Sequence, residues 1–445
     1  MSMWQYIRVH QKTIFWFLLI GLHVLAFSWQ FRAEPWLLED SHEYLAEAGN
    51  LWEHETMYCG NWTEPERVDD YTKRPPVYPV LLGLFRVDQL GFFSLFLFQS
   101  MLSIGGIWLI SNLLIKRLSV QPPWLLWSVL LLLTPSQWIY PQLVMTETLF
   151  QFLLIGIGTC LWISWTEKSV LAWLLGTVLM VLAFLTKPVW YLFTIVWLLW
   201  GVGLFIRQRR ILWLPVAVFP LLVLWGYMSW NEARTGYFHM SSIQHLSLLQ
   251  YTTANLLTDV YGVETGTAKA DSILYLSLSQ GSYEQQQRQL QQACASVIWS
   301  HKAAYVMMHA KGMVNFFLDP GRFDLWEFFR LKKGETGLLA AFSQGGYAGV
   351  WQALRKLPVL GLLYLLMILL ANMVKTAGLA LFLFQRRKEA IAWVLLLMFG
   401  YLAGVTGTSG AARFALPLFP WLLVAATSWS FLSPQTEDSS KKTVE

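Results

Sequence analysis

Apolar residues run along most of this chain in blocks of about twenty, separated by short polar stretches, without the sustained apolar/polar period of a soluble amphipathic helix. A hydrocarbon core about 30 Å thick needs roughly 20 apolar residues per helix. About ten transmembrane helices are predicted on that rule, near 13–31, 92–115, 122–140, 144–165, 170–186, 188–206, 211–230, 358–384, 390–408 and 414–432. The apolar stretch 77–85 is too short to span and reads as a helix dipping into the interface. The first block follows Arg8 and Lys12, as a signal peptide would, but no small-residue cleavage site comes after it, so it reads as a retained helix.

Two long segments, 32–91 and 231–357, interrupt the apolar blocks. The second holds a Gln-rich helical stretch at 283–299 and an amphipathic one at 301–318, closed by Asp319-Pro320-Gly321. Helices that cannot span yet carry apolar faces lie on the membrane surface. The predicted fold class is an all-α polytopic membrane protein: one transmembrane domain over 1–432, two large outer loops containing interfacial helices, and a cytoplasmic tail at 433–445.

Composition sharpens this picture. Of 445 residues, 56% are hydrophobic and 13% charged, against about 25% charged in an average soluble domain. An ordinary soluble enzyme, a disordered chain and a basic nucleic-acid-binding domain are excluded. The 25 Trp fit the interfacial belts of a membrane protein. Short clusters at Arg8/Lys12, Lys116-Arg117, Arg207/Arg209/Arg210, Arg386-Arg387-Lys388 and Lys441-Lys442 mark the cytoplasmic side, and ten crossings with both termini inside satisfy them all. Residues 32–74 carry eleven acids against four bases and fall outside.

Cys59, Cys160 and Cys294 show no metal spacing. Cys160 reads as packing, whereas Cys59 and Cys294 both face outside and could pair. No His spacing suits zinc. The outer acids could hold a hard divalent cation, Mg2+ or Mn2+, but nothing specifies a cofactor.

Five polar constellations stand out. Glu39-Asp40-Ser41-His42-Glu43-Tyr44 follows the first span. Asp40 or Ser41 could cap a helix over about 42–53, which accounts for one acid and not for the pair. In Lys73-Arg74-Pro75-Pro76-Val77-Tyr78-Pro79 the prolines stiffen the backbone. Arg74 then offers a planar fork suited to phosphate, or anchors a rigid re-entry into the bilayer. Glu147, in Met145-Thr146-Glu147-Thr148 after Thr134-Pro135, starts the fourth span, where the helix dipole alone would favour an acid. Lys187, in Thr186-Lys187-Pro188, sits between two spans. Arg413 opens the last span after Gly407-Thr408-Ser409-Gly410-Ala411-Ala412. Counting crossings puts all five sets at one outer interface. Lys375 is the one charge expected inside a span, either snorkelling or at an irregular turn.

These elements, in this order, resemble the GT-C superfamily of membrane glycosyltransferases, in particular bacterial relatives of protein O-mannosyltransferase and lipid A aminoarabinose transferase. The resemblance rests on Glu39 to Leu51, Arg74-Pro75-Pro76-Val77-Tyr78-Pro79, Thr134-Pro135, Met145 to Phe150, Leu185-Thr186-Lys187-Pro188 and Arg413 to Pro420. It implies a GT-C fold in a bacterial plasma (inner) membrane with the active site facing the periplasm. The implied donor is a sugar on a polyprenyl phosphate or pyrophosphate, and the implied acceptor a hydroxyl of a lipid, glycan or protein. It implies Asp40 as catalytic base with Glu39 beside it and Glu147 as a second acid. Arg74, Lys187 and Arg413 would meet the lipid phosphate, and Tyr44 and Tyr78 of the same motifs would make further substrate contacts. Those family members carry extra soluble domains, whereas this sequence runs about 13 residues past its last expected span, so acceptor recognition is expected to fall to the loops. A ligase or polymerase moving lipid-pyrophosphate glycans would use the same cations. A transporter would instead need charges or broken helices at mid-bilayer.

Overall fold

The computed structural model describes residues 3–32, 35–87, 91–330, 348–349, 351–352, 355 and 359–432. The tail 433–445 with Lys441-Lys442, and the stretch 331–347 of the second long loop, lie outside them. Every regular element among the described residues is helical. Six helices are long and apolar enough to cross a membrane: Val9–Gln30, Phe93–Leu118, Glu147–Thr166, Pro188–Gln208, Trp213–Thr235 and Val359–Gln385. Two shorter apolar helices, Val170–Thr186 and Ala390–Thr406, lie beside them. Large apolar side chains such as Leu171, Ile211 and Leu360 are exposed along these helices, as a lipid-facing surface requires.

Two of the ten expected spans are not continuous helices. Segment 122–140 is a helix at Trp124–Leu132, a break at Leu133–Pro135, then short turns at Ser136–Ile139 and Tyr140–Gln142. Segment 414–432 runs through short turns at Ala412–Ala415 and Leu416–Leu418 into a helix at Phe419–Ala426. Pro135, Pro141, Pro417 and Pro420 each remove a backbone donor at or beside these interruptions.

Irregular backbone at membrane depth survives only where its polar groups are satisfied. Here buried glutamines do so. Gln151 Nε2 donates to the Leu416 carbonyl (2.8 Å) and to Gln137 Oε1 (2.9 Å), and Gln137 Nε2 donates back to Gln151 Oε1 (3.0 Å). Gln99 Nε2 donates to the carbonyls of Pro141 (3.1 Å) and Leu143 (2.9 Å), and Gln30 Nε2 to that of Gln142 (3.0 Å). One polar web therefore ties both broken segments to the first, second and fourth spans.

Tryptophan also departs from expectation. Trp127, Trp173, Trp190, Trp197, Trp213 and Trp421 are fully buried between helices. Trp173 and Trp197 stack with ring centroids 4.2 Å apart and planes within 3°. A Cβ on Gly176 would come within 2.6 Å of Trp197, so glycine makes room for that stack. With lipid outside, large rings contribute most as interior packing.

The outer segments follow the expected outline. Val77–Leu84 is a short helix, and the Gln-rich and amphipathic stretches form helices at Tyr283–Ser300 and Lys302–Leu318. The helix after the first span begins at Glu39, not near residue 42: Leu38 occupies the cap position and Ser41 Oγ accepts its N–H at 3.1 Å. Asp40 therefore lies in the first turn and is no cap. Helices Ala254–Tyr261 and Val263–Leu278 were not foreseen, and with Tyr283–Ser300 they share a small core of Leu249, Leu257, Ala270, Leu290 and Cys294. All three cysteines are free; Cys59 Sγ lies 3.6 Å from Asp70 Oδ1, so the Cys59–Cys294 pairing is not formed.

Gln151→Leu would strand the Leu416 carbonyl and one half of the Gln137 pair. We expect it to destabilise the folded protein by about 1–3 kcal/mol, read as a lowered Tm in detergent.

Candidate active site

Each charged group of the site stands at the end of a helix, where an interruption turns it inward. Asp40 and Glu43 lie one turn apart on the Glu39–Glu53 helix and so share a face. Glu147 is the first residue of its helix, and the break before it aims the carboxylate into the protein. Lys187 precedes Pro188, which disfavours helical backbone; its φ of −140° and ψ of 111° end the Val170–Thr186 helix there.

Arg413 is positioned by its neighbours. Asp319 caps the Lys302–Leu318 helix, and its Oδ2 accepts the Ala412 N–H at 2.7 Å. Asn315 Nδ2 donates to the Gly410 carbonyl. A Cβ on Gly312 would overlap the Gly407 carbonyl, and one on Gly410 would overlap that of Gly312. Loop and helix backbones thus meet directly. Arg74 is held similarly: Ser241 Oγ donates to the Lys73 carbonyl at 2.8 Å, and the Ser242 N–H to the Thr72 carbonyl at 3.2 Å.

These groups form one chain of ion pairs. Arg74 Nε donates to Glu43 Oε2 at 2.7 Å, and its Nη2 to Asp40 Oδ1 at 2.6 Å. Asp40 Oδ2 accepts from Arg413 Nη2 at 2.6 Å. Arg413 Nε also donates to Glu147 Oε1, which accepts from Lys187 Nζ at 2.8 Å. Lys73 Nζ extends the chain, 2.7 Å from Glu43 Oε1. Glu147 is fully buried, while the Asp40 and Arg413 side chains keep 27% and 28% of their surface exposed. The middle of the chain is therefore open to an incoming ligand.

Burial would raise the Asp40 pKa, but the charges of Arg413 and Arg74 outweigh it and hold the carboxyl well below the usual range. The Arg74 guanidinium lies 4.9 Å from the centre of the Tyr44 ring, a cation–π contact. Tyr44 meets Tyr78 edge to face at 5.0 Å, and the Tyr78 hydroxyl donates to Gln99 Oε1 at 3.0 Å. Both rings are buried and support Arg74 from behind.

The structure thus brings together Asp40, Glu147, Arg74, Lys187 and Arg413, with Tyr44 and Tyr78 behind them. Glu39 is exposed and stands outside the ion-pair chain. Among the described residues no group of three or more His, Cys, Asp or Glu is placed to hold a metal ion. The site's carboxylates are bound to arginine and lysine, so this donor set does not suit a divalent cation. Lys375 neither snorkels nor pairs with an acid among the described residues; it is buried, with Nζ 2.9 Å from Thr134 Oγ1 at the broken helix.

Sequence reasoning passed over Glu43, Lys73 and Asp324. Helical spacing from Asp40 was a usable signal for Glu43, and adjacency to Arg74 for Lys73. Asp324, in the Arg322–Phe328 helix, carried none. Burial pushes its carboxyl up to about 7, although a hydrogen bond from Tyr140 and the nearby Arg413 charge pull the other way.

No family model matches this chain, and no curated protein matches it. Among solved structures, ArnT from Cupriavidus metallidurans bound to undecaprenyl phosphate is similar over 93% of this chain and 77% of that one, at 12% identity and a TM-score of 0.39.

A carboxyl whose folded pKa lies above its unfolded value favours folding while protonated, and that contribution is lost as pH rises through the folded pKa. Stability should therefore decline between about pH 4 and 7 through Asp324. Asp324→Asn should flatten that decline and raise the Tm relative to the parent more at pH 8 than at pH 5. Thermal unfolding at the two pH values checks this.

Proposed function

We propose that the protein is a membrane glycosyltransferase moving a sugar from a polyprenyl-phosphate-linked donor to an acceptor hydroxyl, with inversion and with Asp40 as base. The observation that carries this reading is the ion-pair chain Arg74–Asp40–Arg413–Glu147–Lys187, gathered at one end of membrane helices from segments far apart in sequence. The order of motifs that resembles the GT-C superfamily agrees with it.

The chemistry suits the site. A sugar leaving on phosphate needs no general acid, because phosphate is already a weak base; it needs cations where negative charge develops. Arg74 and Arg413 meet carboxylates through Nε and Nη2, and no contact among the described residues uses Nη1. Those N–H groups are directed to phosphate oxygens, as charge-assisted hydrogen bonds. Lys187 adds a third cation.

The acceptor hydroxyl must lose its proton as it attacks, so a carboxylate has to take it during the step. In the free protein both Asp40 oxygens are bound by arginines, which makes Asp40 a weak base. A donor phosphate competes for the same two arginines. As they turn toward it, Asp40 loses its counter-charges and its proton affinity rises. Donor binding would thus switch on the base. Glu147, buried and held by Lys187, keeps Arg413 in place and adds negative charge near a sugar that gains oxocarbenium character. A single in-line displacement inverts the anomeric centre.

Under this reading Asp40→Asn still folds and inserts, since Glu43 and Glu147 keep Arg74 and Arg413 paired, yet loses at least about a hundredfold in transfer. Arg74→Ala chiefly raises the apparent KM for donor, as does Arg413→Lys, which keeps a positive charge beside the buried Glu147. The assay is release of polyprenyl phosphate from labelled polyprenyl-phosphate sugars by detergent-purified protein. Near-normal turnover by Asp40→Asn would overturn the assignment, and label crossing sealed vesicles without bond cleavage would favour a transporter.

A further inference from the structure

The helices that carry the site at one end border an open cavity at the other. It has a volume of about 670 Å³ and is lined by Lys116, Arg117, Arg207 and Lys388. Glu147–Thr166 starts at Glu147 of the site and ends at this cavity, as does Pro188–Gln208, which follows Lys187. At 1.5 Å per residue, the first of these helices separates cavity and site by about 30 Å. The lysine and arginine bias of the loops marks this as the cytoplasmic face.

Three features point to a ligand here. The first is charge. Two acids, Glu167 and Glu389, also line the cavity, but Glu167 is bound by Arg117 and Glu389 by Arg386 at 2.8 Å. The cations therefore outnumber the acids, and those acids are already paired. The second is shape. Trp162 and Trp165 wall the cavity, and the Arg207 guanidinium lies 5.0 Å from the centre of the Trp165 ring. Amphipathic indoles beside cations at the level of the helix ends suit the headgroup region. The third is the backbone. The second span does not end in an ordinary α-turn: it widens into a π-helical turn at Leu114–Leu118, and Ser119 follows at a φ of 53°. That turn presents Lys116 and Arg117, and such turns occur often at functional sites.

The cavity also borders lipid. Ile206, next to Arg207, and Leu171, just beyond Glu167, expose 58% and 76% of their surface on the membrane flank. A ligand with a phosphate head and acyl chains would place both parts in matching surroundings.

We propose that this cavity binds the headgroup of an anionic glycerophospholipid of the cytoplasmic leaflet, with Lys116, Arg207 and Lys388 around its phosphate. Basic pockets between membrane helices on this face are suited to such headgroups. The proposal does not depend on the reaction assigned to the opposite face.

The test uses the full chain in nanodiscs and in detergent. Native mass spectrometry should show phosphatidylglycerol retained on the purified protein in preference to phosphatidylcholine. Arg207→Glu combined with Lys388→Glu should weaken that retention about tenfold or more, with the thermal profile in phosphatidylcholine nanodiscs unchanged. If the reversed pair does not fold, Arg207→Gln with Lys388→Gln takes its place and should show a smaller loss in the same direction. Equal retention of the two lipids, or retention of phosphatidylglycerol undiminished in the variants, overturns the proposal. So does full competition by glycerol 3-phosphate at matched concentration, which would mark a soluble-anion site instead.

Discussion

Arg413 holds this structure together at its most demanding point. Its guanidinium joins Asp40, which follows the first span, to Glu147, which opens the fourth. Glu147 is fully buried. A buried carboxylate without counter-charge is strongly unfavourable, so its partners must be present and well placed. Arg413 and Lys187 meet that need only if the end of one helix, the start of another and the loop before the last segment converge within hydrogen-bond reach. The electrostatic requirement of one side chain thus constrains the packing of three distant parts of the chain.

Broken helices make this convergence possible. A continuous helix over 122–140 would carry the chain past the place where Glu147 must begin. The interruption at Pro135 and the turns through Gln142 let the chain re-enter at the right level. Breaking a helix inside a membrane exposes backbone carbonyls, and Gln30, Gln99 and Gln151 donate to them from neighbouring spans. The glutamine web and the ion-pair chain are therefore two parts of one arrangement: the first stabilises the irregular backbone and the second uses the helix ends it creates. Lys375, bonded to Thr134 at the same break, joins this polar interior.

Much of the site was legible because the chemistry required rare residues in exposed grammar. Charges are scarce in this chain, so acids and bases beside Pro and at the ends of apolar blocks stood out, and counting crossings put Asp40, Arg74, Glu147, Lys187 and Arg413 on one side. Glu39 was equally conspicuous but is exposed, because the helix begins at Glu39, three residues before the expected start, and Asp40 and Glu43, one turn apart, share the face that meets Arg74. Asp324 could not be seen: a single acid in a loop of mixed composition gains its raised pKa only from the walls folded around it. The tryptophans divide for a related reason, since an indole suits both an interface and a helix-packed interior, and only the neighbours decide which of them are buried.

Hydrophobic block length and the placement of lysine and arginine follow from the thickness and charge asymmetry of a bilayer, which act on each segment separately. Membrane insertion, helical class and the shared face of the motifs could therefore be read from the chain alone. Which blocks break, which glutamine meets which carbonyl and which carboxylate shares which arginine depend on contacts between segments up to 373 residues apart. Hydrogen bonds and ion pairs act over about 3 Å and depend on direction, so they carry no trace in local periodicity. They became definite only when the helices packed.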